Sequence, residues 1–237
     1  MIWEKHKYKF KNYFLCFSFF IILLFSFFNV AELLDANEEK LVDKIQANYG
    51  NNAARRVIDW RLLIRKSQDE HFSEMQKLKQ VNDLLNSELF ISDIELWGKN
   101  DYWASPLEFL GAGAGDCEDF TIAKYFTLRE MGVEDVKLRL IYVKALQLNQ
   151  FHMVLAYYPT PASVPLILDN IDKSIKPANL RNDLLPIYSF NATNLWLMKS
   201  KGIGVAAGSS SRLSAWNDVR SRFNSQVLQK PIFNAGY

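Results

Sequence analysis

Cysteine and histidine are scarce in this 237-residue chain, which has two cysteines and three histidines. Cys16 lies within a long apolar run near the N-terminus, so Cys117 is the one cysteine of the remaining chain. An internal disulfide is therefore excluded there. In an oxidising compartment a lone thiol indicates either a small buried core residue or a group with a chemical task, and the count leaves both open.

A surplus of basic residues is also missing once the N-terminus is set aside. The chain has 28 Lys and Arg against 26 Asp and Glu, and the first 31 residues account for four of the lysines and one of the glutamates. The rest therefore carries 24 basic and 25 acidic residues. Nucleic-acid-binding surfaces need a basic excess, so we expect no nucleic-acid partner. With 49% apolar residues, the chain has enough material for a sizeable core.

The N-terminus has the pattern of an export signal, because four lysines between residues 5 and 11 precede an apolar run from Tyr13 to Phe28. This run is 16 residues long, short for a spanning helix, and Val30 and Ala31 extend it to 19. Ala31 favours cleavage after it, whereas Asn29 is unusual three residues before the cut. Residues 1–31 are predicted to be a signal peptide or an uncleaved membrane anchor, and in both cases the domain lies outside the cytoplasm.

The next part of the chain has helical periodicity. From Glu38 to about Ser87 apolar residues recur every three, four and seven positions, with breaks at 49–52 and near Gln68. We interpret residues 32–96 as an N-terminal helical layer and residues 97–237 as the core of the domain. No internal repeat, coiled coil or low-complexity tract occurs.

In the core a glycine-rich stretch, 111–115, runs directly into Asp116 and Cys117 and then into a helix that Gly132 ends. Strand-like patterns follow over 136–143, 151–158 and 166–169, and a last helix is predicted around 213–227. An α+β fold is implied, in which an antiparallel sheet lies behind the helix that begins at Cys117.

Cys117 stands where a thiol can be activated. A thiol is nucleophilic as thiolate, and the unpaired N–H groups and positive dipole end of a helix N-terminus lower its pKa. The same N–H groups can bind an oxyanion, and we expect the small Gly113 and Gly115 to let a substrate backbone come close.

His152 and Asp169 are the candidate partners of the thiol. His71 lies in a charged helical region, where a solvated side chain is expected, whereas His152 lies at the beginning of a predicted strand. If the strands on both sides of the turn 159–165 form a hairpin, its centre at about 160.5 places His152 and Asp169 nearly opposite each other. Asp169 then orients the imidazole while the other ring nitrogen faces the sulfur of Cys117.

Carboxylates surround Cys117, and their charge would raise the pKa of its thiol. Asp116, Glu118 and Asp119 are its neighbours, and Asp101 precedes it in a loop. Binding of a hard divalent cation such as Ca²⁺ by these oxygens would neutralise them. The alternative is that the acids simply complement the helix dipole.

Several motifs resemble the bacterial transglutaminase-like cysteine peptidases, and among these the LapG-type periplasmic proteases. They are Gly-Asp-Cys-Glu-Asp at 115–119, Ala-Lys-Tyr-Phe at 123–126, His-Met-Val-Leu at 152–155 and Leu-Asp-Asn at 168–170. Further matching pieces are Asp-Tyr-Trp-Ala at 101–104, Leu-Arg-Leu-Ile-Tyr-Val at 138–143 and Tyr-Ser-Phe-Asn at 188–191. The resemblance extends from about Trp97 to Trp196 and retains Cys117, His152 and Asp169 as a catalytic triad.

The resemblance implies a papain/transglutaminase-like fold and a calcium-dependent endopeptidase of the periplasm, soluble after signal removal or tethered to the inner membrane. It implies Ca²⁺ ligation by Asp116, Glu118 and Asp119. We add Asp101, from the preceding loop, as a further candidate ligand, and we expect the loop of Trp103 to line the cleft. The implied substrate is the N-terminal region of a large surface adhesin, whose cleavage releases biofilm. The implied partner is the periplasmic domain of an inner-membrane cyclic di-GMP receptor. The alternatives are transglutaminase-like acyl transfer on the same triad and a non-catalytic envelope binding module.

Overall fold

The computed structural model describes residues 34–198 and 204–233. The described residues from Lys40 onward form one compact unit, and those from Leu34 to Glu39 belong to another. The predicted signal or anchor, residues 1–31, lies outside the described residues, and the boundary at residue 96 stays a prediction. Within the described ranges, none of the helices has the length and apolar character needed to cross a membrane.

The helical layer comprises α1 (Ala36–Tyr49), α2 (Asn51–Asp69) and α3 (Glu74–Leu85). The first break lies at Gly50, whose φ of 93° favours glycine. The second break ends at Ser73, which forms a capping box with Gln76 at the start of α3. Both breaks lie where the periodicity predicts them. Two short helices follow, α4 (Asp93–Leu96) and α5 (Pro106–Ala112).

Helix α6 (Cys117–Glu130) lies in the middle of the domain. Its residues 119–125, 127 and 128 are buried, so the middle of the helix is covered on every side, whereas its last two residues are less buried. It packs against α3 and α5 on one side and against the sheet on the other. Trp60 of α2 donates a hydrogen bond of 2.8 Å from its indole to the Thr127 hydroxyl of α6, so the helical layer is also joined to α6 by a buried polar contact.

Two short parallel strands, β1 (Leu89–Phe90) and β2 (Ala114–Gly115), pair separately. The strands of the main sheet are β3 (Leu138–Ala145), β4 (Gln150–Tyr157), β5 (Leu166–Leu168), β6 (Lys176–Pro177), β7 (Leu184–Phe190), β8 (Asn194–Met198) and β9 (Gly204–Ser209). This sheet is antiparallel and has the order β6-β5-β4-β3-β7-β8-β9 over the described residues. The last helix of the described residues is α7 (Ser214–Ser225). The predicted α+β fold, with a helix packed on an antiparallel sheet, is confirmed.

Strand β4 is covered on both faces, and its residues from His152 to Tyr157 are all buried. One face lies against α6. The other carries a separate apolar cluster of Ile141, Val143, Val154, Ala156 and Ile167. This two-sided burial explains why β4 has an almost continuous apolar sequence rather than an alternating one.

Glu108 of α5 organises a buried polar network that joins distant parts of the chain. Its carboxylate is fully buried and accepts hydrogen bonds from the Tyr102 hydroxyl at 2.7 Å and from the backbone N–H of Gln229 at 2.9 Å. It also pairs with Arg222 of α7 and accepts the backbone N–H of Ser105 at 2.8 Å. The C-terminal segment is thereby attached to the loop before α5.

Glu108→Gln is expected to destabilise the protein by about 3 kcal/mol, because it breaks an ion pair whose carboxylate is fully buried and leaves the half-buried Arg222 guanidinium with only the exposed Asp218 carboxylate. At about 2–4 °C per kcal/mol, the Tm should fall by roughly 10 °C in thermal unfolding. The matched control is Glu130→Gln, which removes a partly exposed pair with Arg61 and should cost under about 1 kcal/mol. Equal shifts for the two variants would contradict this ranking.

Candidate active site

The segment before Cys117 is held in place from both ends. Helix α5 ends at Gly113, whose φ of 69° is left-handed, and β2 then pairs in parallel with β1. Asp116 is the N-cap of α6, and its backbone N–H donates to the Asp119 carboxylate at 3.3 Å. Cys117 is the first residue of α6 and is half-buried. The thiol therefore lies at the helix N-terminus, as the sequence predicts.

The two glycines before it, Gly113 and Gly115, are packed closely against side chains of the protein. A Cβ on Gly115 would approach the Asp119 side chain within 2.6 Å, and one on Gly113 would approach Arg56 within 2.7 Å. Both glycines are buried. They are thus needed for close packing of the chain against its own side chains, and their role in letting a substrate backbone come close stays a prediction.

Helix α6 packs on one face of the sheet, and its first turns also reach the free edge of β4. Strand β5 pairs with β4 only from Leu155 to Tyr157, which leaves the earlier residues of β4 without a neighbour on that side. There the Thr121 hydroxyl lies 2.9 Å from the carbonyl oxygen of Met153, and the Met153 N–H donates to the Cys117 sulfur. The sulfur is therefore in contact with the residue that directly follows His152.

His152 and Asp169 form a buried pair. The His152 Nε2 and Asp169 Oδ1 atoms are 2.8 Å apart, and the residues are 3% and 1% exposed. The pairs of β4 and β5 centre on 161.5, so the register places Asp169 across from Val154, two residues beyond His152. The predicted centre at about 160.5 was one residue too early, because the connecting loop is not symmetric. The two side chains instead meet along the diagonal of the strand pair.

Asp169 is held from several directions. Its Oδ1 also accepts the backbone N–H of Ile171 at 3.0 Å, and its Oδ2 accepts Nη2 of Arg181 at 2.8 Å. Asn86 of the helical layer donates to its backbone carbonyl at 2.8 Å. Burial alone would raise the pKa of Asp169, but the hydrogen bonds from His152, Ile171 and Arg181 outweigh it and keep this pKa far below its ordinary value. Asp169 is therefore ionised throughout the physiological range.

Carboxylates are concentrated on the other side of Cys117. Oxygens of Asp93, Asp116 and Asp119 lie within 4.8 Å of one another, and so do those of Asp93, Asp101 and Glu118. The structure thus brings together all four residues predicted as metal ligands and adds Asp93. Asp93 and Asp119 are buried, Asp116 and Glu118 are half-buried and Asp101 is exposed.

The crowding of negative charge makes ionisation of these carboxyl groups and of the Cys117 thiol less favourable. Burial, with Glu118 and Asp101 nearby, raises the pKa of Asp93 to about 6. Burial and neighbouring carboxylates also raise the pKa values of Asp116 and Asp119. Burial, followed by the charges of Glu118 and Asp116, raises the pKa of the Cys117 thiol, which donates to Glu118 at 2.8 Å. The acids by themselves therefore oppose thiolate formation.

This cluster has the properties of a site for a hard cation. The Oδ1 atoms of Asp93 and Asp116 are both buried, and neither has a hydrogen-bond partner within the described part of the chain. A buried carboxylate oxygen without a donor is costly, and a divalent cation satisfies several such oxygens at once. Complementing the helix dipole does not require these oxygens to converge. The donor set is all oxygen, which suits Ca²⁺ or Mg²⁺ rather than a soft metal.

Sequence reasoning missed Asp93, Arg181 and Asn86 as members of the site. Each lies far along the chain from the residue it contacts, and none belongs to a local pattern. His71 is exposed at the end of α2 with a φ of 51°, in agreement with its predicted exclusion. Trp103 is only 8% exposed and stacks on Phe190 at 5.8 Å, so its ring is largely covered by the protein rather than presented to a cleft.

Comparison with known proteins identifies clear relatives. The sequence profile of the bacterial transglutaminase-like cysteine proteinases (BTLCP) matches residues 62–197. The solved structure of EGTA-treated LapG from Legionella pneumophila is similar over 78% of this chain and 97% of that chain, with 41% identity and a TM-score of 0.69. Its calcium-bound form is similar over 78% and 98% of the two chains, with 41% identity and a TM-score of 0.67. No curated protein sequence gives a significant match.

Proposed function

We propose that this chain, which belongs to the bacterial transglutaminase-like cysteine proteinases, is a calcium-dependent periplasmic endopeptidase that cuts the N-terminal region of a large surface adhesin. The observation that carries the proposal is a thiol at the start of a buried helix, in contact with the residue after His152, whose ring is paired with Asp169 at 2.8 Å. This arrangement has the parts of a nucleophile, a base and an orienting carboxylate.

In the proposed reaction the Cys117 thiolate attacks the peptide carbonyl carbon, and the N–H groups at the start of α6 bind the resulting oxyanion. His152, which has taken the proton of the Cys117 thiol, gives it to the leaving amine as the C–N bond breaks, and a thioester is left on Cys117. A water molecule, deprotonated by His152, hydrolyses the thioester and restores the thiol. Because Nε2 is paired with Asp169, the other ring nitrogen, Nδ1, is the one left for these proton transfers.

We assign calcium ligation to Asp116, Glu118 and Asp119, together with Asp93 and Asp101. The converging carboxylates and the two unpartnered oxygens support this assignment, as does the calcium-bound form of the relative from Legionella pneumophila. When bound, the ion neutralises carboxylates that would otherwise oppose ionisation of the thiol. The acids beside Cys117 then no longer prevent it from acting as a nucleophile.

Removal of calcium by EGTA is expected to suppress cleavage and to lower the Tm. An ion present at 100 times its Kd stabilises a protein by about 2.7 kcal/mol, which corresponds to roughly 5–10 °C at this chain length. Thermal unfolding and peptide cleavage with EGTA, before and after calcium is restored, measure both effects. As a control, Asp93→Asn should reduce the EGTA effect on Tm, whereas the surface variant Asp83→Asn should retain it. Unchanged activity and Tm after chelation would exclude a functional calcium site.

The proposed substrate and partner follow from the family resemblance. Cleavage of the adhesin would release it from the cell surface and disperse biofilm, and the periplasmic domain of an inner-membrane cyclic di-GMP receptor would bind and inhibit the enzyme. The purified protein, incubated with adhesin N-terminal fragments in the presence and absence of calcium, should yield two shorter products by mass spectrometry. Intact fragments after long incubation with calcium would refute the adhesin assignment.

The same experiment separates the alternatives. Transglutaminase-like acyl transfer would yield products joined to an added amine, at a mass larger than that of the substrate. A binding module would leave the fragment unchanged and would leave Cys117 no more reactive toward iodoacetamide than free cysteine. Of the three candidate functions, only proteolysis predicts both shorter products and a reactive thiol.

A further inference from the structure

We propose that Arg181 is a positioning residue of the active site, which holds Oδ2 of Asp169 so that Oδ1 stays directed at His152. This inference rests on the proposed peptidase function and adds a residue outside the triad and the calcium site. Arg181 lies in the connection between β6 and β7, directly after a short 3₁₀ helix at 178–180. Its side chain is 4% exposed.

The two oxygens of Asp169 have different partners. Oδ1 faces Nε2 of His152 at 2.8 Å, and Oδ2 accepts Nη2 of Arg181 at 2.8 Å. An aspartate side chain has a broad, twofold torsion at its carboxylate, so one hydrogen bond to one oxygen does not fix it. A second, charge-assisted hydrogen bond to the other oxygen fixes this torsion, and it also keeps the buried carboxylate ionised.

Arg181 is itself fixed by Asp183. Its Nε and Nη2 atoms bond the two carboxylate oxygens of Asp183 at 3.0 and 2.8 Å, which is a bidentate contact. The planar guanidinium therefore connects a half-buried carboxylate on one side with the buried Asp169 on the other. A lysine keeps the charge but lacks the fork that makes both contacts at once.

The guanidinium lies at the edge of a groove on the sheet face that is turned away from α6. This groove has a volume of about 740 Å³, is lined by Ile141, Val154, Ile167 and Leu184 among others, and includes Arg181. The Nη1 atom of Arg181 is buried and has no hydrogen-bond partner among the described residues. A small guanidinium ion can therefore reach this position through the groove if the Arg181 side chain is shortened.

Arg181→Met is expected to lower kcat by about 10²-fold, because small displacements of a catalytic group have effects of this size. KM should change by less than about twofold, since Arg181 does not touch the substrate. Arg181→Ala should show the same loss. Guanidinium, added at a non-denaturing millimolar concentration, should raise the kcat of this variant about tenfold. Arg61→Met, which breaks the pair with Glu130 outside the active site, should retain wild-type kcat.

Charge balance and positioning are separated by the double variant Arg181→Met/Asp183→Asn, which removes one charge of each sign. If Arg181 only balances buried charge, the double variant recovers both Tm and kcat, and the proposal is wrong. If Arg181 positions Asp169, Tm rises but kcat stays low. An increase in KM at unchanged kcat would also contradict the proposal. If Arg181→Met does not fold, Arg181→Lys is measured in its place. A wild-type kcat in Arg181→Lys would contradict the proposal that Arg181 positions Asp169.

The alkylation rate of Cys117 by iodoacetamide, measured with calcium present, makes the test independent of any substrate. We expect Arg181→Met to slow this reaction several-fold, because a misplaced imidazole stabilises the thiolate less well. If the adhesin fragment is not cleaved by the wild type but alkylation still depends on Arg181, the substrate assignment fails and the positioning role stands. An alkylation rate equal to that of the wild type would overturn it.

Discussion

Replacing Cys117 by alanine is expected to abolish peptide cleavage, with a loss in kcat of at least about 10⁵-fold, because no other group can form the acyl intermediate. The fold should be retained. The side chain is small and half-buried, and the hydrogen bond that it donates to the half-buried Glu118 carboxylate is a weak one. Mass spectrometry of an adhesin fragment gives the activity, and circular dichroism with thermal unfolding gives the fold.

Two controls sharpen this result. Cys117→Ser keeps the size of the side chain but has a hydroxyl of much higher pKa, so it should be nearly as inactive as the alanine variant. Thr121→Ser keeps the hydroxyl that bonds the Met153 carbonyl and should remain active. Undiminished cutting by Cys117→Ala would mean that the nucleophile lies elsewhere.

Asp169→Asn is expected to lower kcat by about 10³–10⁴-fold, the range known for an amide that replaces the orienting carboxylate of a triad. The asparagine has the same shape, but it can present its amide group to His152 and so select the wrong tautomer. It also no longer pairs with the charge of Arg181. The variant should still bind the substrate, so the loss should appear in kcat rather than KM.

Asp172→Asn is the matched control for this change. Asp172 lies three residues further along the chain, and its carboxylate pairs with the partly exposed Lys176 at 2.7 Å. Its loss should affect stability by under about 1 kcal/mol and leave kcat unchanged. A loss of less than about tenfold in Asp169→Asn would show that His152 is oriented by some other group.

The pKa of the Cys117 thiol is subject to opposing electrostatic effects. Burial and the acids at 116 and 118 raise the pKa of Cys117, whereas the helix N-terminus and the Met153 N–H favour the thiolate. In the proposed enzyme a bound cation neutralises the carboxylates, so the effects that favour the thiolate prevail. Calcium would then control the chemistry as well as the stability, which is why chelation should suppress both.

The sequence by itself determined the local features of this protein. The helix that begins at Cys117 could be read from its glycine-rich approach and from Gly132, and the breaks near Gly50 and Gln68 from interrupted periodicity. Strand β4 was recognisable from its apolar run, and the acids at 116, 118 and 119 from their adjacency to the thiol. All of these depend on neighbours within a few residues, where backbone preferences and side-chain periodicity operate.

Only the tertiary structure decided which distant groups meet. Asp93 joins the carboxylates beside Cys117, and Arg181 meets Asp169 behind the sheet, although neither has a local signal. The hairpin register, centred on 161.5, depends on the shape of a loop and not on strand propensity. The burial that shifts the pKa of Cys117 likewise exists only once α6 has packed on the sheet. Contacts between residues far apart along the chain arise from packing, and no periodicity within a segment encodes them.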